Sequence, residues 1–148
     1  MRMRSLVGGV VLAAAAAACA SGGGASPAST PAVKVEDTNW ELVTIGGAPL
    51  PDGIKRPPSL KLEAAEGKVV GFAGCNRLFG AYSVDGPKLR LSPLGTTKMA
   101  CVGPGMDLEK RFLEALERAT SYSISGDTLT LSAGDQALAT LHSVAATQ

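Results

Sequence analysis

The run V-V-G-F-A-G-C-N-R-L-F-G-A-Y from Val69 to Tyr82 leads into a D-G-P turn at 85–87, the strand K-L-R-L-S at 88–92 and T-T-K-M-A-C at 96–101. Apolar residues alternate through it, and Gly71, Gly74 and Gly80 interrupt the alternation. That pattern predicts strands that bend or let other backbone come close. Two of the three cysteines and two of the three phenylalanines fall here, so the region is expected to be tied down and packed on its neighbours.

Outward from it, S-L-K-L-E-A at 59–64 has Leu60 and Leu62 on one side and Lys61 and Glu63 on the other. With the Glu66-Gly67 turn it pairs with Lys68 to Ala73 as a hairpin. Further upstream, Thr38 to Ile45 reads as a strand with Trp40 and Leu42 inward, and Ala48 to Pro58 reads as a Pro-rich loop carrying Lys55 and Arg56. Downstream, Tyr82 lies on a short strand that pairs with Leu89 to Leu91. Pro93-Leu94-Gly95 is expected to break the sheet and leave T-T-K-M-A-C as extended chain.

One helix follows Pro104-Gly105. Leu108, Phe112, Ala115, Leu116 and Ala119 form its apolar stripe, while Glu109, Lys110, Glu114, Glu117 and Arg118 are assigned to the opposite face. Strands at 122–125, 128–132 and 136–142 close the chain. The plan is α+β, a curled antiparallel sheet of about seven short strands packed around one amphipathic helix.

The N-terminus is a different kind of sequence. M-R-M-R-S and the apolar run Leu6 to Ala18 form a basic segment and a hydrophobic segment too short to span a bilayer, which predicts a signal peptide over 1–18. Ala16-Ala17-Ala18-Cys19 resembles a bacterial lipobox, with Ala16 where Leu is usual. Cys19 is then the lipidated (palmitate-bearing) first residue of the mature chain; the alternative is cleavage that leaves Cys19 a free thiol. Residues 19–36 serve as anchor and Gly/Ser/Pro tether, of which the 12 residues from Ala20 reach about 20 Å, and the globular domain spans 37–144. Losing Arg2 and Arg4 leaves 12 Lys and Arg against 13 acids, a charge near −1. That balance gives no footprint for nucleic acid and leaves membrane attachment to the lipid.

Little in the chain points to catalysis. The single histidine, His142, stands close to the C-terminus, and no nucleophile-elbow, zinc-protease or phosphate-loop motif is present. No metal or cofactor is expected, since Cys75, Cys101 and His142 lack ligand spacing. In an exported domain Cys75 and Cys101 form a disulfide, or else remain two buried thiols. Asn76, Arg77, Thr96, Thr97 and Lys98 flank them. These residues either satisfy backbone groups locally or make a patch for a peptide or small anion, with the Lys55 and Arg56 loop as a second cationic surface.

The series W-E-L at 40–42, G-F-A-G-C-N-R from Gly71, T-T-K-M-A-C, E-K-R-F-L-E-A-L in the helix and G-D-T-L-T-L at 126–131 resembles a META domain of the HslJ-like family over about Thr38 to His142. The resemblance implies a compact curled sheet on one helix. It also implies a heat-inducible, exported, often lipid-anchored bacterial protein with no agreed molecular activity. The expected function is a monomeric, non-enzymatic binding or stress-tolerance module, held at the outer membrane facing the periplasm or, without one, at the cell membrane, and engaging an envelope protein, peptide or small anion. The competing expectation is a small hydrolase or thiol enzyme working through Cys75, Thr97 or a serine.

Overall fold

A computed structural model of the protein describes residues 32–145; the expected signal segment, Cys19 and the tether up to residue 31 lie outside the described residues. In chain order the strands are β1 (Asn39–Ile45), β2 (Ala48–Pro49), β3 (Ser59–Glu63), β4 (Lys68–Phe72), β5 (Arg77–Asp85) and β6 (Lys88–Thr96). Helix α1 (Gly105–Arg118) comes next, then β7 (Ser121–Ser125), β8 (Thr128–Ala133) and β9 (Gln136–Val144). All strand pairs are antiparallel, in the order β2-β1-β3-β4-β5-β6-β7-β8-β9, and β9 returns to pair with β1. The sheet thus closes on itself as a ring, with β2 a short flap folded onto β1.

The α+β plan holds, and nine strands replace the seven expected among the described residues. One addition is β2, inside the segment read as loop. The expected break at Pro93 is absent as well, because β6 runs on to Thr96. Tyr82 pairs with Leu91 and Gly80 with Leu94, so β6 carries one extra residue between those pairs. A bulge there leaves Pro93, which has no N–H to offer a ladder, outside the regular pairing.

Period-two patterning explains the ring's interior. Leu60, Gly71 and Leu78 face each other across β3, β4 and β5, and Leu62 faces Val69. Gly71 is obligatory: a Cβ there would fall on the Ser59 carbonyl oxygen. Trp40 is fully buried and donates its indole N–H to the Val35 carbonyl at 2.9 Å. Each fully buried Leu or Trp of this kind contributes on the order of 1.5–3 kcal/mol.

The ring is weakest between β6 and β7, whose strand pairing is confined to Lys88 and Ser121. Helix α1 is the connection across that seam. It lies over the end of the ring where β1 and β4 finish: Arg111 donates to the Ile45 carbonyl, and Gly105 abuts Gly74. Leu108, Phe112 and Leu116 enter the core from there, so the helix closes that end of the curled sheet.

Candidate binding groove and the hub beside it

After β4 the chain reverses through Ala73 to Asn76, with Gly74 at φ +134° and the Ala73 N–H donating to the Asn76 carbonyl. The reversal places two successive backbone N–H groups, those of Cys75 and Asn76, toward the first turns of α1. Glu109 receives both on one carboxylate oxygen, at 3.1 and 2.6 Å, and its other oxygen accepts from Asn76 Nδ2 at 2.9 Å. Glu109 is only 6% exposed, which corrects its assignment to the outer stripe. It precedes Phe112 by three residues and Leu116 by seven, so the helical repeat already placed it on the inward side. Its charge hid that signal.

Asn76 is the second half of the hub. Its Nδ2 also donates to the Met99 carbonyl at 3.2 Å, while Oδ1 accepts the Met99 N–H at 2.6 Å and the Thr97 hydroxyl at 2.9 Å. The Thr97 oxygen in turn accepts the Arg77 N–H at 3.1 Å. Both amide donors and the carbonyl of Asn76 are therefore engaged, and the residue is 2% exposed. Cys75 and Cys101 are joined as a disulfide with Cα atoms 5.9 Å apart, fastening the T-T-K-M-A-C segment over the reversal. No buried side-chain nitrogen or oxygen among the described residues lacks a partner.

The five patch residues therefore separate. Asn76 lies beneath the surface and Thr97 spends its hydroxyl on it. Thr96 is half-buried opposite Leu78 at the end of β6. Lys98 is exposed but does not line the groove described next. Arg77 joins the hub by its backbone alone, and its exposed side chain turns the other way.

That other side is the outer face of β1, β3, β4 and β5, which forms an open groove of about 670 Å³. Two rows of side chains cross it. Glu41, Ser59, Phe72 and Arg77 make one, Lys61, Val70 and Phe79 the other. Arg56, from the loop before β3, stacks its guanidinium 4.4 Å from the Phe72 ring centroid. The Phe79 ring is 50% exposed and lies over Gly95, where a Cβ would meet it at 2.6 Å. Among the described residues Arg56 and Arg77 form no ion pair, whereas Lys61 stands 4.0 Å from Glu63 and His142 4.0 Å from Glu41 at the rim. Sequence reasoning singled out Arg56 and Arg77 separately and missed Lys61, Phe72 and Phe79, whose common face follows from register.

No group of three or more His, Cys, Asp or Glu among the described residues is placed to hold a metal ion. Among the described residues the strongly shifted group is Tyr82, which does not line the groove. Burial, and then its 2.6 Å hydrogen bond to the Glu36 carboxylate, hold its hydroxyl well above the usual tyrosine range.

The family model described as META domain matches residues 33–145. No curated protein matches the chain in sequence. Among solved structures, an NMR structure of a protein from Burkholderia xenovorans is 28% identical, with a TM-score of 0.60 over 74% of this chain and 83% of that one. A second NMR structure is 23% identical, with a TM-score of 0.57 over 73% of this chain and 90% of the other. The crystal structure of a DUF4847 family protein from Bacteroides vulgatus is 18% identical, with a TM-score of 0.56 over 73% and 93%. The last two likenesses concern the fold alone.

Proposed function

The chain belongs to the META-domain family, and from that premise we propose that it is a non-enzymatic, HslJ-like binding module of the bacterial envelope. In this reading it is anchored by lipid on Cys19 and engages its partner through the outer face of β1, β3, β4 and β5. The carrying observation is the groove itself: Arg77 and Phe79 project outward from β5 while Leu78 between them is buried in the core, so these two side chains are left over from core packing. The G-C-N-R and T-T-K-M-A-C motifs, by contrast, are consumed in the hub with Glu109. A thiol enzyme on Cys75 would need a free sulfur, and the bond to Cys101 occupies it.

The test is made on the full chain in a bacterial host. A photo-crosslinking phenylalanine analogue at position 79 is expected to yield discrete adducts in the envelope, and the same analogue at the fully exposed Val102 is not. The N-terminal peptide is expected to carry acyl mass that Cys19→Ser abolishes. Adducts at neither position would overturn the binding reading, and an unmodified Cys19 peptide would overturn the anchor.

A further inference from the structure

We propose that the groove on the outer face of β1, β3, β4 and β5 binds an extended acidic peptide, taking side-chain carboxylates on Arg56, Lys61 and Arg77 and apolar side chains on Phe72 and Phe79. The proposal rests on the reading of this face as the binding surface and names its ligand. Charge is the first argument. Three cations line the groove against one acid, Glu41, in a domain whose overall balance is close to neutral. The two arginines have no acidic partner among the described residues, so a ligand carboxylate would be the first they meet.

The arrangement of the cations narrows the class. Lys61 stands on β3 and Arg77 on β5, two strands apart, which separates their backbones by about 10 Å across the sheet. Between them lie Val70 and Phe72 of β4, with Phe79 beside Arg77. The ligand must therefore carry anionic groups at intervals and apolar surface between them. A single small anion leaves the apolar floor uncovered. An extended peptide repeats its side chains on one face about every 6.8 Å, the scale of this alternation.

Preorganisation is the third argument. Arg56 is held over the Phe72 ring, which restricts its rotamers while leaving its planar edge open to receive a carboxylate in bidentate fashion. Phe79 is likewise seated over Gly95, so a half-exposed ring keeps a fixed position in the floor. Less ordering cost then falls on the binding event.

The experiment uses the full chain, purified from membranes in a neutral detergent, and fluorescently labelled peptides of three repeats of Glu-Ser-Leu-Ser, Gln-Ser-Leu-Ser or Lys-Ser-Leu-Ser, in which the charged or amide residue and Leu alternate on one face of the extended chain. Anisotropy is expected to show saturable binding of the Glu peptide, at least tenfold weaker binding of the Gln peptide and none of the Lys peptide, with affinity falling as salt rises. The paired change Arg56→Ala and Arg77→Ala, and separately Lys61→Glu, are each expected to weaken binding tenfold or more without moving the thermal midpoint. Equal binding of Glu and Gln peptides, or retained affinity in folded variants, would overturn the proposal. So would displacement of the peptide by micromolar inorganic phosphate, which marks a small-anion site. Failure of every peptide while adducts still form at position 79 in cells sinks the acidic-peptide assignment alone; failure of both removes the binding face as well.

Discussion

Glu109 is a charged residue doing a core residue's work. Its carboxylate replaces water for two backbone N–H groups and one side-chain amide, and a buried donor left without an acceptor costs about 1–3 kcal/mol. Glu109→Gln keeps the shape but must turn an NH2 toward one of those donors. It is expected to lower unfolding stability by about 1–3 kcal/mol, and Glu109→Ala by more, read from urea midpoints. Unchanged midpoints would mean that the hub is not a stabilising element. Tyr82 gives a pH-dependent counterpart. Its proton is held more tightly folded than unfolded, so its contribution is full below the unfolded tyrosine value of about 10 and is lost as pH rises through the folded value. Tyr82→Phe is expected to be less stable at neutral pH and to lose less stability between pH 9 and 11, measured by unfolding at each pH.

At the scale of elements, the disulfide and the hub act on the same join. The bond spans 26 residues, from the reversal before β5 to the approach to α1, and so encloses the whole β5–β6 hairpin. In the chain-entropy model a loop of that length is worth about 3–4 kcal/mol. The double replacement Cys75→Ser and Cys101→Ser is expected to lower stability by about that much, seen as a reduced urea midpoint, with reductant producing the same loss in the wild type. Equal midpoints with and without reductant would show that the hydrogen bonds alone hold the join. The elements themselves were largely legible. Leu60 and Leu62, Leu89 and Leu91, and the α1 stripe all follow the repeats read from the sequence, and all are buried. Pro93 misled because a proline argues against a regular ladder and says nothing about a bulge, which needs a partner strand to be recognised.

For the molecule as a whole, closure depends on the last strand. β9 joins β8 to β1, and Leu138, Ala139 and Leu141 fill the core from it. A chain ended after Gly134 leaves two strand edges and one side of Trp40 uncovered. It is expected not to fold, giving Trp40 emission at the long wavelength of exposed indole and no near-ultraviolet circular dichroism. Cooperative unfolding of that chain would show that the fold does not need β9 to close the ring.

By itself the sequence determined the class of fold, the inward residues of most strands, the single helix and the residues of the hub's motif, because these depend on local periodicity and on turn residues such as Gly67, Gly86 and Gly126 at positive φ. Only the tertiary structure decided that Asn76 is buried, that Glu109 is its partner 33 residues away, and that Arg56, Lys61, Phe72, Arg77 and Phe79 share one face. Those facts depend on strand register and on where the helix docks. Register follows the hydrophobic pattern and the turns, but which strands lie side by side and where the helix docks are settled only when residues far apart in the chain meet, as β1 and β9 do.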